Sequence, residues 1–256
     1  MTTAAGVESR GTYDGLHAAE IAEALRLPVV VALDSTQSTL DVAHELAAAG
    51  APSGTLVLAD EQTAGRGRGG NRWRSTRGAG IWLTLVEREL DPTVLGLLAL
   101  RLGIAAAEAL DPLADASIRV KWPNDLYIGR GKLAGILAEA RWREAVPEWV
   151  AVGMGVNVRA PGDVPNARGL RDGVERVAAL ARLVPALREA VARRGPLGAG
   201  ELVALERRDM ARGREIREPA PGIVHGVAAD GALLVRGADG TIGAWRAGSL
   251  VFTEEA

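Results

Sequence analysis

Residues 65–77 read GRGRGGNRWRSTR, and the fold turns on whether their spaced glycines open a helix. Gly65, Gly67 and Gly70 satisfy the pattern G-x-G-x-x-G. That spacing serves a dinucleotide when a strand precedes it and a helix begins at once after it, so that the pyrophosphate meets free helical N–H groups. Here residues 71–80 have no helical pattern, and the next apolar run, 81–86 (IWLTLV), has strand character. The Rossmann reading is set aside, and so is the P-loop, because no G-x-x-x-x-G-K-[ST] string occurs in the chain. What remains is a loop with five arginines, Arg66, Arg68, Arg72, Arg74 and Arg77, and no acid. Glycine lets backbone N–H groups come close to a phosphate, and guanidinium forks add charge and bidentate geometry. An anion is the natural guest. A solvated basic turn and an RGG-like nucleic-acid segment compete with that reading, but the latter normally comes repeated within low complexity, which is lacking here.

Working outward, residues 14–27 place Leu16, Ile21, Leu25 and Leu27 at helical spacing and stop at Pro28, after which 29–33 reads as a buried strand. Asp34 and Ser35 precede a second helical pattern over 40–49, closed by Gly50, and 55–59 is another apolar strand. Beyond the loop come a strand at 81–86, a long apolar helix over 94–110, and strands at 118–122, 132–140 and 150–158. A surface crossing rich in Pro, Gly and Arg follows at 160–173, then helices at 174–193 and 201–212. This order predicts an α/β (α+β) fold: a mixed or antiparallel sheet covered by helices. From residue 214 the texture changes to short apolar runs at 223–226, 232–235, 241–245 and 250–252. Two Ala-Asp-Gly turns, at 229–231 and 238–240, separate runs among them, which predicts a small β barrel or meander. The chain therefore divides into domains at 1–213 and 214–256.

The bulk properties exclude several classes. With 256 residues the chain can bury a core without staples, and 48% apolar against 24% charged residues is ordinary for a globular protein. Lys and Arg total 30 against 32 acids, so no global field draws it to nucleic acid or an anionic membrane. The lack of cysteine removes disulfides, thiolate metal sites and Cys nucleophiles, and is compatible with a cytoplasmic protein. The N-terminus carries no secretion signal, and the most apolar stretch, 94–107, is too short to span a bilayer and contains Arg101. His17, His44 and His225 lie far apart, which argues against a histidine metal site or a Ser/His/Asp triad.

A second constellation is Lys121-Trp122-Pro123-Asn124-Asp125, followed by Gly131-Lys132-Leu133-Ala134-Gly135-Ile136-Leu137. Pro123 forces a turn that sets Asn124 and Asp125 at a strand end, where oxygen ligands can hold Mg²⁺, and Lys132 begins the next strand. Either string alone is ordinary turn or edge chemistry. Their occurrence beside the arginine loop, with Asp34-Ser35-Thr36, Glu61-Gln62-Thr63-Ala64 and Gly153-Met154-Gly155-Val156-Asn157 in order, resembles the biotin protein ligases over roughly residues 33–158.

The resemblance implies a catalytic domain related to class II aminoacyl-tRNA synthetases, followed by a small SH3-like barrel. It implies that ATP and biotin are substrates, that Mg²⁺ assists, and that biotin passes through biotinyl-5′-AMP to a lysine of a biotin carboxyl carrier domain. Lys132, Arg66 and Arg68 would be catalytic. Biotin would meet Ser35, Thr36, Gln62, Gly65, Arg66, Lys132 and Gly135; the adenylate would meet Arg66, Gly67, Arg68, Trp73, Asn124, Lys132 and Asn157; Asn124 and Asp125 would assist the metal. Three departures stand out: Gln37 replaces the family's usual Asn, the loop has fewer basic residues between Arg68 and Trp73, and 160–172 follows no family pattern. About 28 residues precede the first strand. That is too few for the winged helix of the ligases that repress transcription, so the expectation is no operator DNA, no membrane, and a monomer or weak homodimer. A lipoate ligase of the same superfamily is the nearest rival; the arginine-glycine loop and the Lys-Trp-Pro-Asn-Asp string argue against it.

Overall fold

The computed structural model describes residues 12–253. The large sheet starts from two apolar runs, Val29–Leu33 (β1) and Thr55–Ala59 (β2), which pair in parallel with Val31 beside Val57. A parallel pair needs a crossover, here the helix Thr39–Ala48 (α2), with Ser38 as its N-cap. Gly80–Glu87 (β3), Ile118–Lys121 (β4), Asp125–Ile128 (β5), Gly131–Arg143 (β6) and Val146–Asn157 (β7) complete seven strands in the order β1-β2-β3-β7-β6-β5-β4. All pairings after the first are antiparallel. The helices Ala18–Leu25 (α1), Leu98–Leu110 (α3), Arg176–Ala192 (α4) and Ala199–Arg208 (α5) complete the layer. The expected mixed sheet with flanking helices is what forms.

Period-two alternation sorts the strands between two cores. On β7, Val150, Val152, Met154 and Val156 join the large core under α3 and α4, whereas Trp149 belongs to a smaller core with Val31, Val57, Val86 and the inner face of α2. The positions between are small: Ala151, Gly153 and Gly155. On β6 the matching positions are Gly135 and Leu137, paired with Gly155 and Gly153. The face that carries α2 therefore has a floor almost without side chains, and that floor becomes the site.

Several boundaries depart from the sequence reading. α3 begins at Leu98 rather than 94, because Asp91 caps a separate 3-10 turn at Pro92–Val94. α4 keeps Pro185 in its interior: the buried stripe Ala179, Leu180, Leu183, Val184, Leu187, Ala190 and Val191 outweighs one lost hydrogen bond. α5 ends at Arg208, since Asp209 and Met210 leave the helix to bridge Val120 at the sheet edge. Residues 160–172 are more than a crossing: Lys132 N–H donates to Asn166 O at 2.7 Å and Arg168 N–H to Lys132 O at 2.9 Å, which clamps the backbone of Lys132.

A second, antiparallel sheet has the order β11-β10-β9-β8-β12, formed by Glu215–Glu218 (β8), Gly222–Val227 (β9), Leu233–Arg236 (β10), Ile242–Trp245 (β11) and Val251–Phe252 (β12). Its two Ala-Asp-Gly turns share one geometry. Gly231 and Gly240 both have φ +83°, and Asp230 and Asp239 each accept from the backbone N–H two residues on. These are three-residue hairpin loops with glycine in the left-handed position. Trp122 ties this sheet to the large one, its Nε1 donating to Gly231 O at 3.0 Å. Among the described residues no helix is long and apolar enough to cross a membrane.

Candidate functional site

The two sides of the arginine loop are joined through the backbone as a hairpin. Trp73 N–H donates to Gly65 O at 2.9 Å and Gly67 N–H to Asn71 O at 2.8 Å, with Gly69 and Gly70 at positive φ at the tip. Gly65 has no room for a side chain, since a Cβ would meet Trp73 O at 2.6 Å. Its anchor is Gln62, whose Oε1 accepts from the backbone N–H and hydroxyl of Thr39 at 2.9 and 3.1 Å, while its Nε2 donates to Ser75 Oγ at 2.9 Å. The loop base is thereby joined to the first turn of α2.

Beneath the hairpin lies a cavity of about 580 Å³, a size suited to a small-molecule ligand. Its floor is the glycine strip. A Cβ on Gly135 would stand 3.0 Å from the Trp73 ring, and one on Gly155 would collide with Trp73 Nε1. The indole thus lies flat against β6 and β7, its Nε1 buried with no hydrogen-bond partner. Lys132 Nζ sits 5.3 Å from the Trp73 ring centroid and 2.8 Å from Asp125 Oδ2. Asn124 is fixed at both ends of its amide, with Nδ2 donating to Ile136 O at 2.8 Å and Oδ1 accepting from Arg68 Nη1 at 3.2 Å.

The structure brings most of the sequence-predicted residues to this one cavity: Gln62, Arg66, Gly67, Arg68, Trp73, Asn124, Asp125, Lys132 and Gly135 all line it. Gly65 is buried and is not among the lining residues. Ser35, Thr36 and Asn157 are not among the lining residues. Ser35 is exposed; Thr36 holds the loop base through its backbone, accepting from Thr63 N–H at 2.9 Å; Asn157 is buried, its Nδ2 donating to Lys132 O at 3.2 Å. Sequence reasoning missed Ser38 and Thr39 at the wall and Gly248 to Leu250, which close one side from the small sheet, and it gave Leu137 and Gly153, motif residues that lie in the floor, no place in the site. The pairing of Lys132 with Asp125 was also unforeseen, although both residues were singled out.

The donor set for a cation is small. Asp125 Oδ2 faces Lys132 and Asn124 Oδ1 faces Arg68, and among the described residues no group of three or more His, Cys, Asp or Glu could hold a metal. The cavity is instead positive, with Arg66, Arg68, Arg72, Lys121 and Lys132 at its wall and Asp125 as the acid among them.

Comparison with known proteins agrees with this geometry. Residues 31–157 match the biotin/lipoate A/B protein ligase family. The chain is 41% identical over 136 residues to the bifunctional ligase/repressor BirA of Bacillus subtilis, covering 52% of this chain and 41% of that protein. It is 41% identical over 155 residues to a biotin–[acetyl-CoA-carboxylase] ligase of Mycobacterium tuberculosis, covering 57% and 55%. The chain thus spans about half the length of such curated relatives. Among solved structures, a biotin protein ligase from Aquifex aeolicus in complex with biotin and ATP superposes with TM-score 0.72 at 24% identity, over 86% of this chain and 97% of that one. A biotin protein ligase from Leishmania major in complex with biotinyl-5-AMP does so with TM-score 0.56 at 25% identity, over 86% and 99%. The loop, the Lys-Trp-Pro-Asn-Asp turn and the Lys132 strand all fall inside the matched segment, and through residues 31–157 the chain belongs to the biotin/lipoate A/B protein ligase family.

Proposed function

We propose that the protein is a biotin protein ligase, which activates biotin with ATP and transfers it to a lysine of a biotin carboxyl carrier domain. The observation that carries this reading is the placing of one ammonium, Lys132, beside a glycine floor and under an arginine hairpin that lines the same cavity. In the first half reaction a carboxylate oxygen of biotin forms a bond to the α-phosphorus of ATP, and the bond to the bridging oxygen breaks to release pyrophosphate. Two anions must meet, so positioned cations supply most of the catalysis. Lys132 would leave Asp125 to stand between carboxylate and α-phosphate, while Arg66 and Arg68 fold over the mixed anhydride and keep water out. Gln62 and the Ser38 and Thr39 hydroxyls offer donors and acceptors for the ureido ring. Mg²⁺ fits as the nucleotide's companion. Asp125 and Asn124 would give it two oxygens, phosphates and water would complete its shell, and the ion would neutralise phosphate charge. In the second half reaction a neutral lysine amine attacks the acyl carbon, AMP leaves with the bonding pair, and the nitrogen sheds one proton.

The names of the relatives support a carboxylase carrier as acceptor. We read the large sheet as a class II aminoacyl-tRNA synthetase-like catalytic domain over 1–213 and the remainder as an SH3-like domain over 214–256. Five short antiparallel strands, two of whose connections are Asp-Gly turns, support the latter. A cytoplasmic setting accords with the lack of cysteine. The test is mass spectrometry of a carrier domain incubated with the protein, ATP, Mg²⁺ and either biotin or lipoate. A gain of one biotinyl group on a single lysine is expected; modification by lipoate alone would turn the assignment to the lipoate branch of the family.

A further inference from the structure

On the cavity-facing side of β6 the series Gly135, Leu137 continues to Glu139, where the floor ends in charge. Glu139 Oε2 accepts from Arg66 Nη2 at 2.6 Å and lies 3.1 Å from His44 Nε2. At the other side of that imidazole, Trp149 Nε1 donates to His44 Nδ1 at 3.0 Å. An indole N–H can only donate. Nδ1 is therefore the acceptor, the proton of the neutral ring sits on Nε2, and it points at Glu139. The tautomer is set by a tryptophan that is 7% exposed and stacks under Arg88, whose guanidinium lies 5.6 Å from the ring centroid. Arg88 is itself fixed, its Nη2 donating to Ala47 O at 2.6 Å and its Nε to Ala51 O at 3.0 Å. One carboxylate oxygen thus takes donors from α2 and from the arginine hairpin at once. Asp41, three residues before His44, adds a second carboxylate 3.5 Å from Arg66 Nη1.

We propose that Glu139, gripped by the His44 ring that Trp149 orients, is a positioning residue that pins Arg66 across the end of the cavity and through it keeps the hairpin closed over the adenylate. The adenylate half of this statement rests on the function proposed above. An isolated half-exposed ion pair contributes little, because ordering both side chains costs nearly what the attraction returns. Here His44 has already ordered the carboxylate, so more of the attraction to Arg66 is retained. Trp149, His44 and Glu139 do not line the cavity; their role is to hold Arg66 in place and so limit the freedom of the hairpin.

Two readouts test it. In the free protein, tryptic cleavage after Arg66 and Arg68, followed by mass spectrometry, should quicken about fivefold in Glu139→Gln and in His44→Ala, the size expected for one charge-assisted hydrogen bond at a half-exposed site. His44→Gln, which keeps an N–H donor, should restore slow cleavage. With ATP, Mg²⁺ and biotin but no acceptor, steady AMP release through hydrolysis of the intermediate should rise by a similar factor in Glu139→Gln. In an Arg66→Ala background the Glu139→Gln substitution should add nothing to AMP release or to cleavage after Arg68. Cleavage and leakage at wild-type rates in Glu139→Gln, or full additivity with Arg66→Ala, would overturn the proposal. A wild-type protein that forms no adenylate from biotin refutes the functional reading instead, and the tryptic rates then decide the positioning chain alone.

Discussion

Two single positions separate binding from chemistry. Gly155 has no room for a methyl group, because a Cβ there would collide with Trp73 Nε1, and the backbone of β7 is locked by pairing with β3 and β6 on either side. The indole must therefore move. Gly155→Ala should abolish measurable biotin binding in isothermal titration, at a stability cost of about 1–3 kcal/mol for the overpacked site. Lys132 is the converse case. Its side chain is 34% exposed and its partner Asp125 is 22% exposed, so removing the ammonium leaves a carboxylate that water can still reach. Lys132→Ala should melt near the wild-type temperature yet lose about 100-fold or more in pyrophosphate release, as for removal of a preorganised group facing developing charge. Turnover within a factor of about 3 of wild type, against that roughly 100-fold expectation, would remove Lys132 from the mechanism.

The helical layer hangs on a buried cation. Arg101 is 1% exposed in the first turn of apolar α3, and its guanidinium donates to Glu201 Oε1 at 2.8 Å and to the carbonyls of Arg193, Gly195 and Pro196 at 3.2, 3.0 and 2.9 Å. It thereby caps the end of α4 and fixes the start of α5. Arg101→Met would strand three carbonyls and a carboxylate, so chemical denaturation should register a loss of about 3–5 kcal/mol; a loss under about 1 kcal/mol would mean that water replaces the guanidinium. From sequence, Arg101 served only as evidence against a membrane span, because its partners lie in another part of the chain. The same limit explains what else was readable. β1, β2 and β3 are buried on both faces, so their apolar runs stand out. β5 was hidden within the turn after Pro123, and β8 buries only Ile216, so neither leaves a run to detect. Lys132, Gln62 and the arginines were legible as motif residues. Ser38 and Thr39 were not, because which hydroxyl meets the cavity depends on α2 starting at Thr39. Gly248 reaches the site only through tertiary packing of the small sheet, which no local pattern encodes.

Across the fold, acid stability should follow a small set of carboxylates held by donors rather than the near-neutral net charge of −2. The Thr93 hydroxyl, with the backbone N–H groups of Gly195 and Thr93, holds Asp91 down to about 2 from its ordinary 3.8. The N–H of Ala232 and the Arg246 guanidinium lower Asp230, and the Thr241 hydroxyl and N–H lower Asp239. Burial works against Glu201, but Arg101 and the Gly198 N–H outweigh it and hold its carboxyl below the usual range. For each of these the folded value lies below the unfolded one, so its contribution is complete above the unfolded value and is lost as pH falls through the folded value. Asp209 has the opposite sign: burial raises it despite the Ala211 N–H, so its ionisation costs stability and its protonation returns some. Melting temperature should therefore hold level near neutrality and fall between about pH 4 and pH 2, the window bounded below by Asp91. Asp91→Asn should shrink the fall at the lower end. Asp209→Asn keeps an acceptor for Ala211 but removes the buried charge, so it should raise the melting temperature at pH 7 and have less effect at pH 3. The two substitutions act on opposite sides of the same curve; if both moved the acid limb in one direction, bulk charge repulsion and not these local hydrogen bonds would be setting acid stability.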